Sequence, residues 1–462
     1  MKKSAHRRWL ALALALALAL AAAACGSGDD TSADELSTAT STTIATSTTV
    51  TELDTSPETK PPQDDPLPGL SGPAPGVTDD AIKLGITYVD TEALVAVGLE
   101  FELGDHRAVY QALIDDINED GGINGRLLEP VFAAIDPTNP KSADEVCLQL
   151  TEDEDVFLIT GFFLLDAVLC PIDLHETAVV GGSMTPERVA QAKAPWATWL
   201  ADTDQPKAVV RTLHEQGELD GSVAVYASDA DRSDLENHVL PTLQELGIDV
   251  VATGIMDAPT DDTAAISDRV RLIAERFSAD GADTVVLVGA SASTWPQYLT
   301  DDASYRPKLL FLTSTAVSAF ASTGTTTDTS ILEGSLSGGG YGPDQARFDE
   351  AAMQQCIATL AERGIETPTP AQFDDPSNQP YQAALQACPD IALTAALLEA
   401  AGQNVNYATL EAALDGLTVV VPGDPSPRVY GPAASGRGDG DPVAYLYRWD
   451  ATLLDVVLVE TP

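Results

Sequence analysis

Between Ile82 and Ala133 the sequence sets out an apolar run, an amphipathic stretch, a pair of glycines and a second apolar run, and few architectures accept that order. Val109, Ala112, Leu113 and Ile117 recur at helical spacing, which predicts an amphipathic helix over about Asp105 to Glu119 with Asp105 as its N-cap. Gly121 and Gly122 must end it, because glycine takes the left-handed conformation of a helix stop without steric cost. The flanking runs Ile82 to Tyr88 and Leu127 to Ala133 read as strands. Two strands joined through a helix form a βαβ unit, the connection that a parallel sheet requires.

The same stretch carries a family resemblance. Asn118, Gly121, Gly122, Asn124, Gly125 and Arg126 match a pattern of an asparagine, a double glycine and Asn-Gly-Arg/Lys opening the second strand. In this the chain resembles the type I periplasmic binding proteins, in the branched-chain amino-acid-binding branch, from about Val77 to the C-terminus. The resemblance implies an α/β fold of two lobes, each a doubly wound, mainly parallel sheet, with three hinge crossings. It speaks to the fold and not to the identity of a ligand.

The rest of the chain agrees with two such series. Val156 to Thr160 and Ala178 to Gly181 read as further strands, with helices at about Ser142 to Leu150 and Leu165 to Leu174. A second series has strands Val223 to Tyr226, Val250 to Ile255, Thr284 to Val288 and Leu309 to Leu312. Its helices are Gln205 to Glu215, Ser233 to Leu246, Ala264 to Ser278 and Ser291 to Leu299. After a glycine-rich run, Gly338 to Gly342, come helices at Gln345 to Arg363, Tyr381 to Ala401 and Tyr407 to Leu414. A β segment follows around Ala444 to Trp449 and Leu453 to Val459. With the crossings near Asp202, Gly338 and Tyr430, lobe I is expected over 77–202 plus 338–430 and lobe II over 203–337 plus 431–462.

Ahead of the lobes, Lys2, Lys3, Arg7 and Arg8, the apolar run Leu10 to Leu20 and Ala22-Ala23-Ala24-Cys25 have the form of a bacterial lipoprotein signal, residues 1–25. The apolar run is short for a bilayer span of ~20 residues. Cys25 is thus the expected lipidated N-terminus, holding an extracytoplasmic body to the cell membrane by its acyl chains. Residues 26–76, rich in Ser and Thr and then in Pro, lack apolar periodicity and are expected to be a disordered tether. Its reach is roughly 40 Å on average. The other four cysteines, Cys147, Cys170, Cys356 and Cys388, allow three disulfide connectivities or four buried thiols; export permits bonding. The two sequence-local pairs, Cys147 with Cys170 and Cys356 with Cys388, each fall within one lobe and are favoured.

Acidic residues outnumber Lys and Arg by 71 to 24, for a formal charge of -47, which excludes a phosphate-binding surface and hence nucleic acid as a partner. The charges are spread along the chain, as on a solvated surface. No catalytic constellation or cofactor motif is present: Gly181-Gly182-Ser183-Met184-Thr185 lacks the second glycine of a nucleophile elbow, and there is no phosphate loop. His106, His175, His214 and His238 lack metal-ligand spacing. Asp229, Asp231 and Ser233 imitate the start of a calcium loop, but Asp234 stands where the turn glycine is needed, and the stretch reads as a helix N-terminus. Arg437-Gly438-Asp439 reads as a turn.

Ligands of parallel sheets bind outside the carboxyl ends of the strands. The candidate ligand-binding residues are therefore Tyr88, Asp90, Thr91, Phe162, Phe163, Ser183, Thr185, Tyr226, Ser228, Ser291, Thr313 and Ser314. By the resemblance, Ser183 and Thr185 hold a ligand's charged groups in lobe I, and Tyr226 is the aromatic after the first strand of lobe II. Two departures stand out. Gly161-Phe162-Phe163 replaces a Gly-Pro with a later serine, giving an apolar pocket wall or packing under the loop. After Val288 comes Gly289-Ala290, with no acid to meet an ammonium. The resulting expectation is a monomeric, non-enzymatic solute-binding lipoprotein that passes a small organic, amino-acid-like ligand to an ABC permease. The alternatives are a sensor domain read by a membrane partner and a wall-associated structural protein.

Overall fold

A computed structural model describes residues 67, 70, 74–98, 101–139, 141–200, 205–258, 262–299, 305–314, 316–317, 320, 329–340, 342–373, 377–424, 427–440, 444–453 and 455–459. The expected export signal, Cys25 and the Ser/Thr-rich part of the expected tether lie outside them.

Two sheets organise the body. In the first, β1 (Ala81–Val89) lies between β2 (Leu127–Ile135) and β3 (Leu158–Gly161), followed by β4 (Ala178–Val180) and β5 (Trp196–Ala197), all parallel. In the second, β6 (Val223–Ser228) lies between β7 (Val250–Met256) and β8 (Thr284–Leu287), and β9 (Lys308–Phe311) and β10 (Leu336–Gly339) continue the parallel order. The antiparallel β13 (Tyr445–Asp450) and β14 (Asp455–Leu458) complete its edge. β11 (Thr418–Val419) and β12 (Arg428–Val429) form a separate ribbon. Each large sheet thus reverses its strand order beside its first strand. The crevice at such a switch point, at β1/β3 and at β6/β8, is where a doubly wound sheet leaves room for a ligand. Both sheets match the expected mixed α/β, mainly parallel fold.

The helix His106–Glu119 forms as its spacing predicts. Asp105 accepts from Ala108 N at 2.9 Å, and Val109, Tyr110, Ala112, Leu113 and Ile114 are buried. The motif that follows is architectural. Asn118 donates to Leu128 O and accepts from Leu128 N, at 2.9 and 2.8 Å, so its amide acts as one more rung beside β2. Gly122, at φ +72°, faces the Arg126 carbonyl where a Cβ would collide, and Arg126 itself donates to Thr78 O and Gln403 O.

The helix Gln382–Ala401 is apolar on nearly every face because it runs through the core of the first lobe, with Leu385, Ile391, Leu393, Leu397 and Leu398 buried. Disulfides join Cys147 to Cys170 and Cys356 to Cys388, the sequence-local pairs. The helix Gln205–Glu215 belongs to the second lobe, where Val209 packs on Gly338 of β10 so closely that a side chain at 338 would overlap it. The helix Asp344–Asp349 returns to the first lobe and buries Phe348 there. Ala433 is still in that core, and β13 then re-enters the second sheet.

Several expectations shift in detail. The glycine-rich run begins inside β10, since Gly338 and Gly339 pair with Leu446 and Tyr445. The expected helix Gln345 to Arg363 is two, parted where Glu350 adopts an extended ψ of 140°. The Pro-rich end of the tether is anchored: Leu67 is buried in the first core, and Leu70 and Ala74 pack against it. Three apolar side chains thus hold that end against the first core. Arg437-Gly438-Asp439 lies in the third crossing, with Asp439 buried and Gly438 pressed on Trp196.

Candidate functional site

The carboxyl ends of β6 and β8 converge on one acid. Asp231, in the turn after β6, accepts through Oδ2 from Ser228 Oγ at 2.7 Å and from Ser291 Oγ. Across the switch point Gly289 has a φ of +77°, and any Cβ there would overlap the Asp231 carboxylate. Among the described residues Asp231 has no cationic partner. A half-buried carboxylate, braced by two hydroxyls and a bare glycine backbone at the mouth of a doubly wound sheet, has the chemistry to accept a cation or a hydrogen-bond donor. Sequence reasoning missed it because the acid follows the first strand of the lobe, β6, and not the third, β8. The run Asp229-Ala230-Asp231 was visible only as a failed calcium loop. Gly289, opposite it, was the usable signal.

Tyr226 lies elsewhere than expected. It is within β6, two residues before its end, and is 0% exposed in the core of the second lobe. Its ring meets Trp295 edge-on at 5.0 Å, and its hydroxyl shares a 2.7 Å hydrogen bond with Thr294. Burial raises its pKa, as for any phenol withdrawn from water. The side chains reaching the strand end are Ser228 and Asp231. Thr313 and Ser314 follow β9, half-buried.

In the first lobe, Thr87 Oγ1 donates to Phe162 O at 2.6 Å, tying the loop after β3 to the end of β1. Gly161, at φ +113°, lets that loop pass the Thr87 carbonyl. Phe162 and Phe163 pack partly on the small cluster of Ile135, Val146, Leu150 and Ile159. Phe163 also lies against Gly182 and lines an apolar cavity of about 10 Å³ with Thr87, Ile135 and Ile159, about one water in size. Both rings are half-buried, packed in part under the loop. Ser183 and Thr185 stand half-buried after β4. The Ser183 carbonyl accepts from Arg188 Nη1 at 2.8 Å, and Arg188 Nε bonds Asp166 at 3.0 Å, so this guanidinium joins the loops after β3 and β4. Tyr88 is half-buried beside Phe132, with ring centroids 6.5 Å apart. Asp90 caps the short helix Thr91–Ala96 through Ala93 N.

Among the described residues, one group of His, Cys, Asp or Glu atoms is close enough to suggest a metal: Cys147, Cys170 and His175, within 4.8 Å. Both sulfurs are spent in the disulfide, so the group lacks thiolate ligands.

Two doubly wound lobes, with loop hydroxyls and an acid at their switch points, define a bilobal solute-binding architecture. The sequence profile of the periplasmic binding proteins matches residues 82–452, and the chain belongs to that family, in its type I branch. Similar solved structures include an ABC-transporter solute-binding protein from R. palustris in complex with 4-hydroxybenzoate (16% identity, 83% of this chain and 96% of that one, TM-score 0.52). Another is a substrate-binding protein from Desulfitobacterium hafniense complexed with Leu (16%, 82% and 100%, TM-score 0.53). A third is the leucine-, isoleucine-, valine-, threonine- and alanine-binding protein of Brucella ovis (15%, 80% and 90%, TM-score 0.51). At these identities the likeness is one of fold. No curated protein matches the chain significantly.

Proposed function

We propose that this chain is an extracytoplasmic solute-binding lipoprotein, tethered through Cys25, that captures a small organic ligand between its lobes and delivers it to an ABC permease. The observation that carries the ligand class is Asp231, an acid without a cationic partner among the described residues, held by Ser228 and Ser291 at the switch point of the second sheet. It favours a ligand with an ammonium or a comparable donor, its remaining polar groups met by Ser183 and Thr185 in the first lobe. Ligand contacts made to both lobes only when they close would drive closure. The leucine complex among the similar structures agrees with that class, whereas the 4-hydroxybenzoate complex shows that the fold also serves an aromatic acid.

The test is a thermal-shift panel of amino acids, amides, small peptides, polyamines, nucleobases and aromatic acids, since any ligand of the native state raises the melting temperature. A shift confined to amine-bearing compounds, and lost in Asp231→Asn, supports the reading. A shift confined to aromatic acids, and retained in that variant, overturns the ligand class.

A further inference from the structure

Asp390 is buried midway along the helix Gln382–Ala401, 1% exposed, and forms no ion pair among the described residues. Both carboxylate oxygens are used. Tyr110 Oη donates to Oδ2 at 2.5 Å from the helix His106–Glu119, and Trp199 Nε1 donates to Oδ1 at 2.7 Å. The third neighbour is Gly181, after β4, whose missing side chain makes room: a Cβ there would stand 2.9 Å from Oδ1.

Trp199 is not an ordinary core residue. It follows β5, the last strand of the first sheet, and precedes the helix Gln205–Glu215 of the second lobe, so it lies on the first crossing. Its ring also carries the guanidinium of Arg347, 5.2 Å from the centroid. Arg347 sits just past the second crossing, after β10, and is fixed by Leu385 O at 3.0 Å. The neighbouring Thr198 N donates to Gly438 O of the third crossing at 2.8 Å. One buried carboxylate thus holds the indole that stacks on the second crossing and adjoins a residue bonded to the third.

We propose that Asp390 is a proton-linked latch of the hinge, a positioning residue whose ionised carboxylate clamps Trp199 and the Arg347 stack and whose protonation loosens them, shifting the balance of lobe arrangements. The chemistry follows from the contacts. An ionised acceptor makes hydrogen bonds about twice as strong as a neutral one. A protonated carboxyl must turn its own O–H toward Tyr110 or oppose the Trp199 N–H. Of the described groups facing Asp390, Tyr110 is the one that titrates, and burial together with Asp390 raises its pKa so that it stays protonated. Arg347 stacks on the ring of the other donor, Trp199. Burial pushes the Asp390 carboxyl up to about 7, against the pull of the two donors, so both forms are populated near neutral pH. The inference rests on the hinge and not on the ligand reading above.

The test uses the exported chain with its disulfides intact and no ligand added. Tryptophan indoles are labelled with nitrogen-15, the Trp199 signal is assigned by its loss in Trp199→Phe, and nitroxides at Glu129→Cys and Glu275→Cys report the distance between lobes by pulsed electron resonance. The Trp199 N–H should titrate near neutral pH, with the interlobe distances changing over the same range. Both changes should vanish in Asp390→Asn, which fixes the neutral form. Trp199→Phe, which keeps Asp390 but removes the donor, should also make the distances independent of pH. A Trp199 signal that does not titrate overturns the latch. So does a pH-invariant distance distribution in the wild type, or a response that persists in either variant.

Discussion

The Asp231 carboxylate occupies the space that a side chain at Gly289 would fill, and Gly289 holds a φ of +77° to allow it. The two residues come from loops after different strands, so together they fix how the crevice of the second sheet is shaped. Gly289→Ala should both strain the backbone and displace the acid, costing about 2 kcal/mol or more of stability. Gly247 is a natural control, since it has φ +73° and open space around it. Gly247→Ala should cost only about 1 kcal/mol. Urea unfolding of both variants makes the comparison. Equal losses would mean that the carboxylate moves aside freely.

Asp231→Asn keeps the shape of the cluster and removes its charge. For a ligand with an ammonium the lost charged hydrogen bond is worth about 1.5–3 kcal/mol, or on the order of 10- to 100-fold in affinity. Tyr226→Phe should do the reverse. It removes a buried hydroxyl bonded to Thr294, costing about 1 kcal/mol of stability while leaving affinity unchanged. Isothermal titration with the compound class that raises the melting temperature separates the two. A fall in affinity only for Tyr226→Phe would return the ring to the ligand site.

The disulfides close loops with sequence separations of 23 and 32 residues. On the chain-entropy account each stabilises the body by about 3–4 kcal/mol. The pairs differ in place, Cys147–Cys170 tying the helix Ser142–Leu148 to the segment after β3, and Cys356–Cys388 joining the helices Ala351–Glu362 and Gln382–Ala401. Replacing either pair by alanines should lower the calorimetric transition temperature by several degrees. An unchanged transition for one pair would assign that bond no constraint on the unfolded chain.

The motif around Gly121 made the fold legible because its residues are needed for backbone reasons that any sequence must meet. Asn118 bridges to β2, Gly122 clears the Arg126 carbonyl, and helical periodicity marks the buried face at Val109 and Leu113. The site was less legible because its residues are assembled across loops. Asp231 meets Ser291 from 60 positions away, and no local pattern records that meeting. Tyr226 could be placed near a strand end, but which residue ends β6 depends on pairing with Met256, a tertiary fact. Asp390 was hidden for a similar reason: an acid in an apolar helix has no sequence signature for the Tyr110 and Trp199 that hold it.

Asp390 also sets a dependence of stability on pH. Its carboxyl is pushed up to about 7 by burial, against about 4 in an unfolded chain. Between those values the folded protein retains a proton that the unfolded chain has lost, so stability falls as pH rises through this window and the loss is complete above it. At 1.36 kcal/mol per pKa unit the full effect is about 4 kcal/mol. Asp390→Asn removes this term, while the other acids contribute equally to both proteins. The stability of the variant relative to wild type should therefore improve steadily from about pH 4 to about pH 7 and then level off. Denaturant unfolding across that range tests it, and parallel curves would mean that Asp390 stays ionised throughout. The ionised form thus weakens the fold as a whole while giving Trp199 its strongest hold, so the same acid trades global stability for a fixed hinge.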